Sequence, residues 1–271
     1  MTSLGEKRAA FRRLHEQGCF VIPNPWDVGS AKYLQSLGFK AIATTSGGLA
    51  WSHGHNDGEI TRETVLAHVA ELSSSTAIPL NVDFEAGFGA TPEAVGESVR
   101  FCVTAGASGL SIEDFPGGSS KSLYPMDEAI ARLKAARAAI DASSSSVMLT
   151  GRSEGILRGA ADMAETIRRL KAYSAAGADC LYAPAIRTRE EIRGIVEAVA
   201  PKPVNVLIGW PSDLTVADLA SLGVRRISVG TALARSAWGG FINMAREIAE
   251  QGSFKGFANA APGADIVKAL R

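Results

Sequence analysis

Hydrophobic and polar positions along this chain follow two alternating patterns. Short apolar segments rich in β-branched residues are followed by longer segments whose apolar residues recur at helical spacing. The short segments predict eight strands, namely CFVIPN, AIATTS, LNVDFE, GLSIED, VMLTGRSE, CLYAPA, PVNVLIG and RISVGT. Several of the helical segments begin at Thr or Asp and end at Gly, as capped helices do.

Strands that are apolar almost throughout and are joined by helices predict a parallel sheet covered on both faces. Eight such units in about 230 residues fit a (β/α)8 TIM-type barrel. We predict one barrel domain over residues 1–271, with an N-terminal helix and a C-terminal helical tail. A doubly wound sheet is the alternative architecture, but no GxGxxG motif follows the first strand.

Composition and charge exclude several kinds of partner. The 28 Lys and Arg residues balance 28 Asp and Glu residues, so no net charge attracts nucleic acid or an anionic membrane. No segment approaches the ~20 apolar residues of a membrane span, and the first residues predict an amphipathic helix without the apolar region of a signal peptide. Cys19, Cys102 and Cys180 lie far apart, which favours reduced thiols. We therefore expect a cytoplasmic protein whose partner is a small molecule.

Acidic residues follow the predicted strands at the ends that face the active site of a (β/α)8 barrel. Strand three ends in Asp83 and Glu85, and strand four ends in Glu113 and Asp114. The period of two places Asp83 and Glu85 on one face, whereas Glu113 and Asp114 point in opposite directions. Carboxylates that converge in this way repel one another unless a hard cation such as Mg²⁺ lies between them. We predict a divalent metal site; the alternative is that these acids cap helices or pair with Arg152.

Two further strand ends suggest how a substrate would bind. Strand two ends in Ser46, Gly47 and Gly48, whose backbone amides can approach a carboxylate closely, although a plain turn is an alternative explanation. Strand five ends in Arg152, whose planar guanidinium suits a substrate carboxylate or a structural ion pair. No lysine occupies a strand end, which argues against Schiff-base chemistry.

Taken together, VDFEAGFG, SIEDFPGG and TGRSEG resemble, in this order and spacing, the motifs of the isocitrate lyase and phosphoenolpyruvate mutase superfamily. The segment NPWDVGSAKYLQSLGFKAIATTSGGLA resembles the first βαβ unit of that superfamily, and the resemblance spans roughly residues 5–250. It implies a Mg²⁺-dependent barrel, with Mn²⁺ as an alternative, that acts on 2-oxo or 2-hydroxy carboxylates through an enolate-like intermediate. It also implies that the final helix, WGGFINMAREIAE, is exchanged between subunits of a homodimer or homotetramer; packing within one chain is the alternative.

The resemblance implies roles for individual residues. The metal ligands, directly or through water, are Asp83, Glu85 and Glu113. The catalytic residues that the resemblance implies are Arg152 and Asp57. To these we add Tyr182, because an enolate needs a proton, which Tyr182 or water could supply. The substrate-binding residues that it implies are Trp26, Asp27, Ser46, Gly47, Gly48 and Arg152, and we predict Asn205 as a further one.

Two departures from the superfamily pattern affect the mechanism. The second acid of the DxD motif is Glu85, which is one methylene longer. The loop after strand four, FPGGSSKSLYPMDEA, contains no Cys and no His, whereas lyases of the superfamily carry a K[KR]CGH motif there. Lys121 and Ser122 match the Lys and Asn of the mutase loop only in part.

These features predict a Mg²⁺-dependent lyase or decarboxylase that cleaves a carbon–carbon bond in a small 2-oxo or 2-hydroxy di- or tricarboxylate. Decarboxylation is the least demanding version, because the enolate then needs only a proton. One alternative is phosphorus–carbon chemistry on a phosphonopyruvate-like substrate, suggested by the Gly-containing VGTALAR after strand eight. The other is a non-catalytic protein that binds 2-oxo acids.

Overall fold

A computed structural model describes residues 2–118, 120 and 122–270, so Lys121 lies outside the described residues. Within them, eight parallel strands pair in the order β1-β8-β7-β6-β5-β4-β3-β2. The strands are β1 Phe20–Ile22, β2 Ile42–Ala43, β3 Leu80–Asp83, β4 Gly109–Glu113, β5 Met148–Arg152, β6 Cys180–Tyr182, β7 Val204–Leu207 and β8 Arg226–Ser228. The amide of Ala43 donates to the carbonyl of Pro23 at 3.0 Å, which links the two edges of the sheet. The predicted (β/α)8 barrel is confirmed, and it is nearly closed.

Helices alternate with the strands and cover the outside of the barrel. They are α1 Leu4–Leu14, α2 Val28–Ser36, α3 Ser46–Ser52, α4 Arg62–Ser75, α5 Pro92–Ala105, α6 Met126–Ala142, α7 Gly155–Arg158, α8 Met163–Ala175, α9 Arg189–Val199, α10 Val216–Ser221, α11 Ala232–Gln251 and α12 Gly263–Ala269, with a 3₁₀-helix at Lys255–Asn259. Four helix-to-strand joints turn at glycines with positive φ, which are Gly38, Gly106, Gly177 and Gly223. This left-handed conformation carries no Cβ penalty at glycine, so the helix ends predicted from SLGF, TAGAS, SAAGAD and SLGV are confirmed.

The alternation along each strand separates two environments. In β3, Leu80 and Val82 belong to the apolar core between the sheet and its helices. Asn81 and Asp83 point the other way and line a cavity inside the barrel. The same period of two applies in β8, where Ile227 joins the outer core and Arg226 and Ser228 line the cavity. The upper part of the barrel interior is therefore unusually polar.

The lower end of the barrel is closed by α1. Phe11 of this helix is fully buried and packs in a small apolar cluster with Ile22, Ala43 and Met148. A Cβ on Gly109 would lie 2.5 Å from the Phe11 ring, so the strand must lack a side chain where the helix docks. The helix therefore seals the end of the barrel opposite the carboxyl ends of the strands.

Helix α11 extends away from the barrel with little support from the rest of the chain. Ala234 is its only buried residue, and Trp238 and Phe241 are 41% and 62% exposed. Exchange of this helix between subunits stays a prediction. None of the helices in the described part of the chain combines the length and the apolarity that a membrane crossing requires.

Candidate active site

Arg152, at the end of β5, lies among the acids that the sequence predicts to converge. Its Nη1 is 3.1 Å from Oδ1 of Asp83 and 3.2 Å from Oε2 of Glu113. Burial raises the pKa of Glu113 well above its usual value, although Arg152 opposes this effect. Asp83 and Glu113 therefore share one guanidinium at the carboxyl ends of β3, β4 and β5.

A second set of contacts, which involves the buried Glu154, holds Arg152 in place. Its Nε donates to Oε1 of Glu154 at 2.7 Å, and Arg158 binds the other carboxylate oxygen of Glu154 at 3.1 Å. The amide of Glu154 donates to Oδ1 of Asp114 at 2.8 Å, and the hydroxyl of Tyr173 donates to Oδ2 of Asp114 at 2.6 Å. Asp114 thus points away from the cavity, as its place in the strand alternation predicts. Since Glu154 is fully buried, this network holds the guanidinium in one orientation.

These contacts decide the charge state of Arg152. Burial lowers its pKa, but the carboxylates of Glu154, Glu113 and Asp83 raise the pKa well above its usual value overall. The guanidinium is charged, and three acidic side chains already contact it. The alternative that the acids pair with Arg152 is thus realised in this structure.

Glu85 lies in the tight turn that follows β3. Its φ is +45°, a left-handed conformation that costs a non-glycine residue about 1–3 kcal/mol. The amide of Glu113 donates to the carbonyl of Glu85 at 2.9 Å, which ties this turn to β4. The pKa of Glu85 is raised to about 7, mainly by burial and to a smaller extent by repulsion from Asp83 and Asp57. Both burial and the neighbouring acids therefore disfavour a negative charge on Glu85.

Asp57 lies at the rim of the cavity, beside the predicted backbone nest. Burial of its carboxyl group is the main cause of its raised pKa, which a hydrogen bond from Ser46 partly offsets. The amide of Ser46 donates to Oδ2 of Asp83 at 3.4 Å, and the amide of Gly48 donates to Oγ1 of Thr45 at 3.3 Å. Two of the three predicted nest amides therefore already have acceptors within the protein.

The cavity has a volume of about 170 Å³ and opens at the carboxyl ends of the strands. Of the predicted site residues, its lining contains Ser46, Asp57, Asp83, Arg152, Tyr182 and Asn205. The predicted residues outside the lining are Trp26, Asp27, Gly47, Gly48, Glu85 and Glu113. Asp27 is exposed, and its carboxylate caps α2 by accepting from the amide of Ser30 at 2.6 Å.

Several lining residues were not predicted from the sequence. They are Ile22, Asn24, Ala43, Thr44, Thr45, Asn81, Ser111, Leu207, Arg226, Ser228, Gly230 and Thr231. Asn24 has a clear structural role, because its Oδ1 accepts from the amides of Val229 and Gly230, each at 2.9 Å. These are amides of the turn that resembles a phosphate site, so that turn is already occupied by an asparagine.

The acids suit a hard cation in chemistry, although they do not surround an empty coordination sphere. Among the described residues, no three His, Cys, Asp or Glu side chains come close enough together to hold a metal ion between them. Mg²⁺ keeps several of its waters and needs only one or two carboxylates from the protein. Asp83, which lines the cavity near its mouth, is one such carboxylate. Burial of Glu85, together with its acidic neighbours Asp83 and Asp57, disfavours its charged form, and a cation would offset this cost.

The three cysteines are remote from this chemistry. Cys102 is buried in α5, Cys180 begins β6 at the end away from the mouth, and Cys19 precedes β1. Burial raises the pKa of each thiol. A raised pKa leaves little thiolate near neutral pH, so none of them has the environment of a reactive cysteine.

Comparison with known proteins gives consistent matches along most of the barrel. The family model of phosphoenolpyruvate phosphomutase matches residues 11–249. An oxaloacetate decarboxylase of Bradyrhizobium diazoefficiens is 32% identical over 256 residues, which cover 90% of this chain and 86% of the relative. A 2-methylisocitrate lyase of Escherichia coli is 31% identical over 207 residues, which cover 73% and 68% of the two chains. The crystal structure of a candidate lyase/mutase of Burkholderia cenocepacia J2315 superposes with a TM-score of 0.94 at 44% identity, covering 98% of this chain and 97% of the other.

Proposed function

The chain belongs to the isocitrate lyase and phosphoenolpyruvate mutase superfamily, and on that premise we propose that it is a Mg²⁺-dependent decarboxylase of a small 2-oxo dicarboxylate such as oxaloacetate. The observation that carries this proposal is the composition of the cavity lining. Among the described residues, that lining contains Tyr182, Asp57 and Asp83 as titratable groups near the mouth, and it contains no Cys and no His. Decarboxylation requires one proton donor, whereas an aldol-type cleavage also requires a base that deprotonates a hydroxyl group. The similarity to an oxaloacetate decarboxylase supports the same choice.

The proposed site binds the 2-oxo acid between two sources of positive charge. Asp83 would hold Mg²⁺ directly, with Glu85 and Glu113 contributing through water. When bound, Mg²⁺ supplies a Lewis acid that polarises the 2-oxo group of the substrate. Arg152 lies beside Asp83, where negative charge develops as the carbon–carbon bond breaks. Glu154 keeps the guanidinium of Arg152 in place, so no reorientation is needed during the reaction.

Tyr182 is the proposed proton donor. Burial raises its pKa to about 12, even though nearby Arg152 opposes the shift, so the hydroxyl stays protonated at neutral pH. Loss of carbon dioxide leaves an enolate, and one proton delivered to its carbon completes the formation of pyruvate. Tyr182 then recovers a proton from solvent through the cavity mouth. The side chain lines the cavity at the same level as Arg152, since the two residues pair in register between β5 and β6.

Phosphorus–carbon chemistry has weaker support. The strand-eight turn that resembles a phosphate site already donates its amides to Asn24. A non-catalytic role is distinguished from the proposal by turnover alone, because both would retain ligand binding.

The test is the release of pyruvate from oxaloacetate in the presence of Mg²⁺. Since free Mg²⁺ itself promotes this reaction, the protein must exceed both metal alone and an equal amount of the Asp83→Ala variant. Tyr182→Phe should lower kcat by about 10²–10⁴-fold, the usual contribution of general acid catalysis, while pyruvate binding is retained. Wild-type protein that releases no more pyruvate than the Asp83→Ala control would refute the decarboxylase. Isocitrate, methylisocitrate, dimethylmalate and phosphonopyruvate would then be tested in the same way.

A further inference from the structure

A second arginine forms part of the cavity floor and is anchored at three points. Arg226, the first residue of β8, is 3% exposed and lines the cavity. Its Nε donates to Oδ1 of Asn205 at 2.8 Å, and its Nη2 donates to Oγ1 of Thr150 on β5 at 3.1 Å. Its Nη1 lies 3.4 Å from Nε2 of His15. An arginine side chain has donors and no acceptor, so Arg226 fixes the direction of each of these hydrogen bonds.

His15 is a neutral acceptor for Arg226. The Nδ1 of His15 lies 2.8 Å from the carbonyl of Phe11, so Nδ1 carries the proton and Nε2 accepts from Arg226. Burial is the main cause of the low pKa of His15, about 3, and the charge of Arg226 adds to this effect. The ring is therefore uncharged at neutral pH, and the anchor of Arg226 is complete.

Asn205 extends this directed hydrogen bonding to Ser228. Because Oδ1 of Asn205 accepts from Arg226, Nδ2 is the atom that faces Ser228, and it donates to Oγ of Ser228 at 2.9 Å. The O and N atoms of an asparagine side chain are assigned from their partners, and here one partner is unable to accept. Oγ of Ser228 is the acceptor in this bond, so the hydroxyl proton of Ser228 is left for a further acceptor.

The barrel geometry places Tyr182 next to Ser228. Tyr182 of β6 pairs in register with Asn205 of β7, and Asn205 pairs with Arg226 of β8. In a (β/α)8 barrel, however, the side chains of one interior layer come from alternate strands, and the stagger moves the layer by about two residues between those strands. Ser228, two residues after Arg226, is therefore level with Tyr182, and both side chains line the cavity.

A contact at the mouth shows the same offset. The register of β3, β4 and β5 leads from Asp83 to Thr150, but Asp83 contacts Arg152, two residues further along β5, at 3.1 Å. Tyr182 and Ser228 repeat this relationship between β6 and β8. The pKa of Tyr182 agrees with the contact, because burial is the main cause that raises it and a hydrogen bond from the side chain of Ser228 is one of the effects that oppose burial.

We propose that Ser228 is a positioning residue for Tyr182, whose phenol oxygen accepts a hydrogen bond from the Ser228 hydroxyl. The phenol proton of Tyr182 then points away from Ser228 and toward the cavity. In the proposed reaction, the O–H bond of Tyr182 breaks, a C–H bond forms at the enolate carbon, and the negative charge passes from the enolate to the phenol oxygen. Ser228 stabilises that charge, because a hydrogen bond to an ionised oxygen is stronger than one to a neutral oxygen. This inference rests on the proposed function for the role of Tyr182 as proton donor.

The kinetic test measures pyruvate release from oxaloacetate with Mg²⁺. Ser228→Ala should lower kcat by about tenfold and change KM by less than about twofold, and Ser228→Thr, which keeps a hydroxyl, should recover most of the loss. In a Tyr182→Phe background, Ser228→Ala should have no further effect, because Ser228 acts through the phenol oxygen. Ser73→Ala is the matched control, because the similarly buried Ser73 donates to the carbonyl of Gly106 at 3.0 Å and lies outside the cavity.

A second measurement does not depend on turnover. A polyfluorinated tyrosine in place of Tyr182 ionises at lower pH than tyrosine, so its pKa can be measured from phenolate absorbance in the folded protein. Ser228→Ala should raise this pKa by about one to two units, the equivalent of a hydrogen bond to a charged group. Asn205→Asp keeps the size of the side chain and should raise the pKa as well, because an ionised carboxylate cannot donate and instead accepts from the Ser228 hydroxyl. Ser73→Ala should leave the pKa unchanged.

Equal pKa values of the fluorinated phenol with and without Ser228→Ala would overturn the proposal. A loss of kcat in Ser228→Ala that persists in the Tyr182→Phe background would also overturn it, because the loss would then not act through Tyr182. If Ser228→Ala does not fold, Asn205→Asp carries the test, and an unchanged phenol pKa in that variant would have the same consequence. A wild-type protein without decarboxylase activity refutes the proposed function and leaves the pKa measurement in force, so the two proposals fail separately.

Discussion

Nη1 of Arg152 lies 3.1 Å from Oδ1 of Asp83, so a predicted substrate-binding residue and a predicted metal ligand form one ion pair. A metal ion that binds Asp83 must share this carboxylate with the guanidinium or displace it. Binding of Mg²⁺ and the position of Arg152 are therefore coupled.

We expect Mg²⁺ or Mn²⁺ to raise the Tm of the wild-type protein and to have no effect on Asp83→Ala. A ligand that binds only the native state stabilises it by about 2.7 kcal/mol at a hundredfold excess over Kd, which corresponds to several degrees. Asp265→Ala is a suitable control, because Asp265 is an exposed acid on α12. A wild-type Tm that does not respond to either metal would contradict the metal site.

Arg152→Lys keeps the charge at the barrel mouth and removes the planar group that joins Glu154 to Asp83. We expect oxalate binding in the presence of Mg²⁺ to weaken by about 1.5–3 kcal/mol, the range for hydrogen bonds to charged groups. Arg158→Lys serves as the comparison, because Arg158 contacts the same Glu154 without lining the cavity. Oxalate affinities that are equal in wild type and Arg152→Lys would leave Arg152 as a structural ion pair only.

The thiols should be dispensable for activity. A Cys19→Ser, Cys102→Ser, Cys180→Ser variant is expected to retain most of its turnover, because the three residues lie away from the cavity and their pKa values are raised. The measurement is kcat on the substrate identified above, with Tm and the Mg²⁺ shift as controls for folding. A folded, Mg²⁺-binding variant that has lost about a hundredfold in kcat would show that a thiol takes part.

Protonation of His15 should destabilise the protein in acid. The pKa of His15 is about 3 in the folded protein and 6.5 in an unperturbed chain, so the unfolded state binds the proton more tightly. The stability from neutral His15 is therefore complete above pH 6.5 and is lost as the pH falls toward 3, by about 2 kcal/mol between pH 7 and pH 5. Urea unfolding of His15→Gln should show a shallower loss over this interval, whereas His55→Gln, at an exposed histidine, should match the wild type. Identical slopes in His15→Gln and wild type would contradict this assignment.

The exposed face of α11 predicts self-association. Trp238, Phe241 and Ile242 are all exposed large apolar residues on this helix, an arrangement typical of an interaction surface. We expect light scattering to give a dimer or tetramer, and Phe241→Glu to shift the protein toward monomer. Ile248→Glu at the other end of α11 tests how far the interface extends. A monomeric wild-type protein at micromolar concentration would favour packing within one chain.

The barrel and the acids at its mouth were predictable because strand period and strand ends are local features of the sequence. VDFE and SIED show which residues face inward as soon as the strands are identified, and Asp114 behaves as that pattern predicts. Asp27 illustrates the limit of this reasoning, because a carboxylate after a strand is equally suited to cap the next helix, as it does here.

Arg226 could not be predicted for a different reason. Two arginines are adjacent in VRRISVG, and the alternation within β8 places Arg226 inward together with Ser228, whereas Arg225 lies outside the cavity. Arg226 begins its strand, whereas the functional residues of a (β/α)8 barrel are expected at the carboxyl ends of the strands. The sequence also leaves undecided whether Arg152 pairs with Asp83, because that contact depends on the distances between β3, β4 and β5.

The pairing of β1 with β8 has a consequence for how the protein reaches its native state. Phe20 pairs with Arg226, and the contact between His15 and Arg226 spans 211 residues. During synthesis, the first helix and first strand must therefore wait for nearly the whole polypeptide before they find their partners, which makes ring closure a late, high-contact-order event. The floor of the cavity is completed in that same step, because Arg226 brings β8, β5 and the residue after α1 together. A nascent chain that has not yet produced β8 would therefore possess the acids of the mouth without a finished binding cavity.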